Sequence, residues 1–209
     1  MIAGFYGIVD LPAAAGPAEA EALAAQLLDG GAPMIQLRMK RAPTRALLAC
    51  ARTLRALCSR RGAGLCVNDR LDVALLSSAD AVHLGQDDLP LGAARALAAG
   101  RLLIGISTHS LAQAQAALTG GADYLGFGPV WGTASKPHPD PVQGLSALAA
   151  VVRAAGPVPV VAIGGITPVR AAAVANAGAA AAAAIAAVNQ APDPTAAARS
   201  IHHTFRASG

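Results

Sequence analysis

The sequence is poor in aromatic residues and in charge, and these shortages exclude one class of protein. Its 209 residues include three Phe, two Tyr and one Trp, which leaves little material for stacking against nucleic-acid bases. Charged residues make up 13% of the chain, and the basic ones are dispersed through helical segments rather than gathered in one block. The net charge of +4 therefore points to a small anionic ligand and not to nucleic acid.

Long apolar runs are also missing, although 54% of the residues are hydrophobic. The longest candidate, Ala179 to Val188, is about half of the roughly 18 to 20 residues that span a bilayer. The first ten residues lack a basic segment and reach Asp10 before an adequate apolar stretch, unlike a secretory signal. We expect a cytoplasmic protein with no membrane partner.

Cysteine is scarce. Cys50, Cys58 and Cys66 are odd in number and show no CxxC or CxxH spacing. The spacing indicates neither a disulfide framework nor a zinc site, so we expect buried free thiols.

What the chain does contain is a regular alternation of short Val- and Ile-rich runs with longer Ala-, Leu- and Arg-rich segments. Eight strands are predicted, at Tyr6–Val9, Met34–Arg38, Gly64–Asn68, Ala81–Leu84, Leu103–Ser107, Tyr124–Gly128, Val158–Ile163 and Ala181–Ala186. Helices are predicted at Pro17–Asp29, Pro43–Arg61, Arg70–Ser77, Leu91–Ala98, Leu111–Leu118, Gly144–Ala155, Pro168–Ala177 and Pro194–Phe205. Continuously apolar strands fit a parallel sheet covered on both faces. The pattern predicts one α/β domain over residues 1–209, closed as a single (β/α)8 TIM barrel.

The last predicted strand is defined by its position more than by its composition. Alanine favours helix, and periodicity does not separate a buried strand from a buried helix in this run. Its place after seven strand–helix units decides the prediction.

In such a barrel the chemistry belongs at the C-terminal ends of the strands, and the scarce polar residues gather there. Asp69 and Asp88 follow the third and fourth strands, so their carboxylates can converge on one cation. Mg²⁺ takes one or two carboxylates and completes its shell with water and phosphate oxygens. Arg38 and Lys40 follow the second strand, where their charges would neutralise the same phosphates. Lys136 can approach from the sixth strand.

Simpler explanations exist for the two carboxylates. Asp69 could be the N-cap of the helix that begins near Arg70, and Asp88 could be a turn residue before Leu89. Their occurrence on adjacent strands, beside two cations, favours the metal site. Other polar residues are given simpler interpretations: His83 and His109 as hydrogen-bonded structural residues, Asp72 and Asp80 as solvated or capping residues, and His202 and His203 as surface residues.

A second phosphate subsite is predicted at "IGGI", after the seventh strand. The glycines Gly164 and Gly165 fall where backbone N–H groups and a short helix often hold phosphate in barrels.

Taken together, these residues resemble the thiamine-phosphate synthase family. The resemblance runs through nearly the whole chain, in "YGIVD", "QLRMK", "VNDRLDVA", "ADAVHLGQDDLP", "GISTHS", "GADYLGFGPVWGTASKP" and "VVAIGGIT". It implies an enzyme that joins hydroxymethylpyrimidine diphosphate to thiazole phosphate and releases diphosphate. It further implies a Mg²⁺ cofactor on Asp69 and Asp88, and diphosphate held by Arg38, Lys40, Asn68 and Lys136. The pyrimidine would contact Gln36 and Ser107, and the thiazole phosphate would lie near Thr133, Ser135 and the backbone of Gly165, Ile185 and Ala186.

The sequence departs from that family's pattern near the last strand, where Ala180, Ala181 and Ala186 replace a common Asp-Gly pair and Ser. Two alternatives therefore stay open. One is a thiazole tautomerase of the same superfamily, which needs no metal or diphosphate cluster. The other is a barrel that binds a phosphorylated ligand without turnover. The oligomeric state also stays open, with a homo-oligomer as one option.

Overall fold

The apolar runs form eight parallel strands that close into one barrel, each strand pairing with its neighbours in chain order. This computed structural model describes residues 2–133 and 140–207. The strands are β1 Gly4–Asp10, β2 Met34–Arg38, β3 Gly64–Asn68, β4 Ala81–Leu84, β5 Leu103–Thr108, β6 Tyr124–Phe127, β7 Val160–Ile163 and β8 Ala181–Ala183. The predicted (β/α)8 TIM barrel is confirmed.

Helices follow the strands and cover the outside of the barrel. They are α1 Pro17–Asp29, α2 Thr44–Arg61, α3 Leu71–Leu76, α4 Leu91–Ala98, α5 Leu111–Thr119, α6 Gly144–Ala155, α7 Ala171–Asn176, α8 Ala186–Asn189 and α9 Pro194–Ala207, with a 3₁₀ turn at Pro168–Arg170 before α7. Within residues 2–133 and 140–207, no helix is long and apolar enough to cross a membrane.

The eighth unit differs from the prediction. The strand predicted over Ala181–Ala186 ends at Ala183, and Ala186 instead begins the four-residue helix α8. Alanine is the strongest helix former, so the run stays in the sheet only while it pairs with β1 and β7. The backbone of Ala186 therefore lies in a helical first turn.

The strands are apolar on both sides because each side meets a different core. One core lies between the sheet and the helices, with residues such as Phe5, Leu37 and Leu125. The other fills the barrel interior, where Tyr6, Met34 and Tyr124 pack against small residues, Ala81, Ala181 and Ala183 among them. Small residues opposite large ones let the narrow barrel hold two tyrosine rings.

The three cysteines are free and buried, as expected. Burial raises the pKa of Cys58 and of Cys66 to about 11, so both thiols stay protonated.

The interpretation of Asp80 as solvated or capping is wrong. Its Oδ2 accepts the N–H of Leu65 at 2.7 Å and pairs with Arg55 of α2, so it ties the starts of β3 and β4 to the outer helix. Asp123 repeats the arrangement at the next pair of strands, where it accepts the N–H of Ile104 at 2.7 Å and pairs with Arg95. Both are structural ties at the end of the barrel opposite the predicted site.

Candidate active site

A cavity of about 710 Å³ opens at the C-terminal end of the barrel, and all eight strands contribute to its lining. The cavity brings together nearly all of the residues predicted from the sequence, namely Gln36, Arg38, Lys40, Asn68, Asp69, Asp88, Ser107, Thr133, Gly165, Ile185 and Ala186. Ser135 and Lys136 lie outside the described residues. The site is therefore one continuous chamber, with different chemistry at its two ends.

Asp69 lies directly after β3 in a left-handed backbone conformation, with φ of 62°. Its N–H donates to the carbonyl of His83 at 2.8 Å, which fixes the turn above β4. The N-cap alternative is excluded because Arg70 occupies the N-cap position of α3, and Asp69 Oδ2 instead pairs with Lys40 Nζ at 2.5 Å. A non-glycine residue with positive φ is uncommon, and residues in sparsely populated backbone conformations cluster at functional sites.

Asp88 lies beside Asp69 across the gap between β3 and β4. Its Oδ2 accepts the N–H of Gly85 at 2.6 Å, so it does close a turn, as the alternative interpretation proposed. Its pKa is raised, first by burial and also by the neighbouring Asp69 carboxylate. Two carboxylates that repel each other in a half-buried position gain from a shared cation.

The acidic pair fits Mg²⁺ better than a soft metal. Within residues 2–133 and 140–207 there is no cluster of three or more His, Cys, Asp or Glu side chains suited to a metal ion. Zinc sites usually need three or four such ligands, whereas Mg²⁺ is commonly held by one or two carboxylates together with substrate phosphates. Asp69 and Asp88 therefore suit a cation that arrives with a phosphorylated ligand.

Arg38 is held at the same end of the cavity by a residue that the sequence analysis did not assign. Asp10 and Arg38 are register partners at the ends of β1 and β2, and Arg38 Nη1 lies 2.5 Å from Asp10 Oδ1. Both side chains are mostly buried. The pair orients the guanidinium towards the cavity beside Lys40 and Asp69.

The floor of the cavity is a polar network inside an otherwise apolar barrel. Gln36 Nε2 donates to Tyr6 Oη at 3.1 Å, and the Tyr6 and Tyr124 hydroxyls lie 3.0 Å apart. His83 continues the network, with Nδ1 3.1 Å from Tyr124 Oη and Nε2 2.9 Å from Ser107 Oγ. Burial raises the pKa of both tyrosines well above the usual value, so their hydroxyls stay protonated.

At the opposite end, the backbone turns sharply after β7. Gly164 and Gly165 have φ of 96° and 62°, and a Cβ on Gly165 would lie 2.5 Å from Gly132 O and 2.8 Å from Trp131 Cβ. Only glycine fits there, because the loop after β6 packs directly against the turn. The N–H groups of Ala186 and Ala187, in the first turn of α8, have no intrahelical acceptor and also line this end.

Arg170 adds a positive charge to this end and was missed by sequence reasoning. Its guanidinium lies 5.0 Å from the centre of the Trp131 ring, and its Nη1 donates to Gly165 O at 2.6 Å. The residue lies in the 3₁₀ turn before α7, within the segment Pro168–Ala177 that was predicted as a helix. No motif pointed to it.

His109 makes the structural hydrogen bonds expected of it, although it also lines the cavity. Its Nδ1 lies 2.6 Å from Gly128 O, and its Nε2 lies 3.5 Å from Asp140 Oδ2. The contacts hold the loop after β6 against β5.

The barrel and its cavity define the class, a TIM-barrel enzyme with its polar groups at the C-terminal ends of the strands. Within that class the chain belongs to the thiamine monophosphate synthase family, whose model matches residues 5–188. It is 50% identical to the thiamine-phosphate synthase of Anaeromyxobacter dehalogenans over 206 residues, 99% of this chain and 89% of that protein. Identity to the thiamine-phosphate synthase of Methanospirillum hungatei is 46% over 199 residues, 95% of this chain and 96% of that protein. Thiamine phosphate pyrophosphorylase from Pyrococcus furiosus has a similar structure, with a TM-score of 0.83, 39% identity and coverage of 90% of each chain.

Proposed function

We propose that the chain is a thiamine-phosphate synthase that joins hydroxymethylpyrimidine diphosphate to thiazole phosphate. Relatives at 46% and 50% identity carry that name over nearly their whole length. The observation that carries the proposal is the grouping of Asp69, Asp88, Lys40 and Arg38 at one end of a cavity whose other end presents glycine, backbone N–H groups and Arg170. This is the asymmetry that a diphosphate and a monophosphate would require.

The reaction exchanges one bond for another. The bond between the pyrimidine methylene carbon and the diphosphate oxygen breaks, and its electron pair leaves with the diphosphate. The thiazole ring nitrogen supplies the electron pair of the new carbon–nitrogen bond. No protein nucleophile is needed, so the protein acts by neutralising the leaving group and positioning the two rings.

The leaving group would be held at the acidic and basic end. Arg38, oriented by Asp10, presents a planar donor fork to phosphate oxygens, and Asn68 adds an uncharged amide beside it. Lys40 would exchange Asp69 for the diphosphate when the ligand enters. Lys136 is assigned to the same diphosphate from the sequence alone.

Mg²⁺ on Asp69 and Asp88 would supply further positive charge to the departing diphosphate. After burial, the Asp69 carboxylate contributes to a pKa of Asp88 that stays raised although Lys40 lies beside the pair, so a shared divalent cation would relieve the remaining repulsion. The fixed turn conformations at Asp69 and Asp88 place the two carboxylates before the ligand arrives.

The two rings would lie between the phosphate groups. Gln36 and Ser107 are on the cavity floor, where they would contact the pyrimidine. The thiazole phosphate would lie by Gly165, Ile185 and Ala186, with Thr133 near it, and Arg170 would contribute a positive charge at that end. Ser135 is assigned there from the sequence.

One assay separates this proposal from the two alternatives. The purified protein is incubated with both substrates in excess Mg²⁺ and again after thorough chelation, and thiamine phosphate and diphosphate are quantified. Equal amounts of the two products, lost on chelation and restored by Mg²⁺, are expected. Isomerisation of the thiazole without metal would identify a tautomerase, and ligand binding without any product would identify a binding protein.

A further inference from the structure

Gln36 and Ser107 are the two ends of one buried hydrogen-bond chain. They lie on β2 and β5, three strands apart around the barrel, and are joined through Tyr6, Tyr124 and His83 by four contacts of 2.9 to 3.1 Å. Gly105 and Gly126 leave space for the chain, since a Cβ at either position would collide with Tyr124 or His83. The interior of the barrel is thus built around it.

The hydrogen-bond chain has a fixed order of donors and acceptors, because each hydroxyl carries a single proton. Gln36 Nε2 donates to Tyr6 Oη, so the Tyr6 hydroxyl is left to donate, and Tyr124 Oη at 3.0 Å is a better acceptor than the neighbouring Cys66 sulfur. The Tyr124 hydroxyl has two neighbours that can accept, His83 Nδ1 at 3.1 Å and Cys66 Sγ at 3.5 Å. Imidazole nitrogen is the stronger acceptor, and thiol sulfur accepts weakly.

The direction continues to the other end of the chain. A neutral imidazole that accepts at Nδ1 carries its proton on Nε2, which then donates to Ser107 Oγ at 2.9 Å. The Ser107 proton is left to point into the cavity. Gln36 meanwhile uses its amide nitrogen on Tyr6 and Cys66, and its Oε1 accepts no hydrogen bond from the residues that the structure describes.

The cavity floor therefore presents an acceptor at Gln36 and a donor at Ser107. Reversing either end requires the amide to rotate and every proton along the chain to move, since a mismatch would bury an unpaired polar atom. The two contacts behave as one unit.

We infer that this hydrogen-bond chain selects a ring that offers a donor towards Gln36 and an acceptor towards Ser107. A 4-aminopyrimidine offers this pattern, and its 4-oxo counterpart does not. Tyr124 is the positioning residue that couples the two ends of the hydrogen-bond chain. The inference rests on the proposed function for the identity of the ring. Tyr124 and His83 would therefore do more than pack in the barrel interior. They would determine that Gln36 accepts and Ser107 donates, although neither Tyr124 nor His83 would make those hydrogen bonds to the ring.

The test removes the central link. Tyr124→Phe keeps the ring and its packing, but Tyr6 loses its hydroxyl acceptor and His83 loses the partner that fixes its tautomer. Thr108→Val is the matched control, because it deletes another buried hydroxyl, bonded to Gly126 O at 3.0 Å, which lies outside the chain. For each protein, kcat/KM is measured with the 4-amino and the 4-oxo pyrimidine diphosphates, and Tm is recorded as a check on folding.

The ratio of the two kcat/KM values is the deciding quantity. We expect Tyr124→Phe to lower the preference for the amino ring by about tenfold or more, the usual effect of unpairing a buried polar group, and Thr108→Val to leave it within about twofold. Tyr6→Phe removes the preceding link and should relax the same ratio, which keeps the test valid if Tyr124→Phe does not fold. An unchanged ratio in folded variants, with only Tm reduced, would overturn the inference.

Failure of the proposed function would look different. If the wild-type protein forms no thiamine phosphate, the same three variants are compared by calorimetric binding of the 4-amino and 4-oxo pyrimidine alcohols. A preference for the amino ring that depends on Tyr124 would still support the chain's role. Equal binding of both alcohols by the wild type would overturn it.

Discussion

The ammonium group of Lys40 lies 2.5 Å from Oδ2 of Asp69, so a carboxylate assigned to the metal is already paired with a cation. The Lys40 side chain is 53% exposed, and ion pairs at such positions contribute about 1 kcal/mol or less. A metal ion that binds Asp69 would therefore compete with Lys40, and breaking the ion pair would cost little free energy. Displacement would turn the lysine towards the diphosphate.

Lys40→Gln is expected to have opposite effects on metal binding and on turnover. Without its competitor, Mg²⁺ should bind the substrate-free protein up to about fivefold more tightly, the equivalent of about 1 kcal/mol. The kcat/KM for the pyrimidine diphosphate should fall, because a charge on the leaving group is lost. Calorimetry and steady-state kinetics measure the two effects, with the exposed Arg52→Gln on α2 as control. Weaker Mg²⁺ binding in Lys40→Gln would contradict the competition.

Arg38→Ala should remove a charge-assisted contact to the departing diphosphate. Such contacts contribute about 1.5 to 3 kcal/mol, so kcat/KM should fall by about 10- to 150-fold. Asp10 is left as an unpaired carboxylate in the same variant, which can only add to the loss. Arg45→Ala, at the exposed start of α2, controls for the change in net charge. A kcat/KM within twofold of the wild type would place the diphosphate elsewhere.

Arg170→Gln tests the charge at the other end of the cavity. If the guanidinium over Trp131 contacts the thiazole phosphate, its loss should raise the KM for that substrate by about tenfold, the effect of one charge-assisted hydrogen bond. The KM for the pyrimidine diphosphate should not change. The dephosphorylated thiazole alcohol provides the control: its weaker binding should be the same in both proteins. Equal losses for phosphate and alcohol would show that Arg170 only supports the Gly165 backbone.

His202 predicts a loss of stability in mild acid. Although interpreted as a surface residue, it packs against Gly4 and its Nδ1 lies 3.5 Å from the N–H of Phe5. Burial, with Arg206 and His203 nearby, lowers its pKa below the ordinary 6.5. The unfolded chain therefore binds more protons in this window, so the stability that His202 contributes is complete above about pH 6.5 and is lost as pH falls through the lower folded pKa.

The measurement is Tm from about pH 7 to about pH 5, a range that brackets the titration of histidine. The wild type should lose Tm over this range, and His202→Gln, which keeps an acceptor but does not titrate, should show a flatter profile. The exposed His203 is the matched control, and His203→Gln should keep most of the wild-type slope, because burial contributes more to the lowered pKa of His202 than His203 does. Identical slopes of Tm against pH in all three proteins would show that His202 does not cause the loss of stability in acid.

The fold was predictable because its signals are local and agree with one another. Strands with both faces buried are apolar throughout, and the helix bounds at Pro17–Asp29, Leu91–Ala98 and Gly144–Ala155 match the prediction. The last strand was placed correctly but ended wrongly. In an all-alanine run, only pairing with β1 and β7 distinguishes strand from helix, and pairing is not local information.

The candidate site was predictable to the extent that barrel topology determines it. Residues that follow the C-terminal ends of the strands, such as Asp69 and Arg38, lie on the same rim in any barrel of this topology. Tyr6 and Tyr124 were missed because an aromatic residue inside a strand looks like core, and indeed packs as core. Their hydroxyl partners come from other strands, 30 to 118 positions away in sequence, so nothing near either residue indicates the network.

The remaining prediction concerns Asp69 and Asp88 as a pair. If both hold one Mg²⁺, Asp69→Ala alone should weaken the metal enough to lose most of its help to the leaving group, and adding Asp88→Ala should cost little more. Independent residues, one pairing with Lys40 and one closing a turn at Gly85, would give losses that add within about 0.3 to 0.5 kcal/mol.

A double-mutant cycle on kcat/KM at fixed Mg²⁺ distinguishes the two cases. Asp87→Ala, exposed and adjacent to Asp88, supplies the matched control, and its loss should be small and additive with that of Asp69→Ala. Groups that act together in catalysis are often far from additive, so the double variant should resemble either single one. Folding is checked by Tm, since Asp88 also accepts the Gly85 N–H. Additive losses at Asp69 and Asp88 would mean that the two carboxylates do not share a metal ion, and the raised pKa of Asp88 would then reflect burial and repulsion alone.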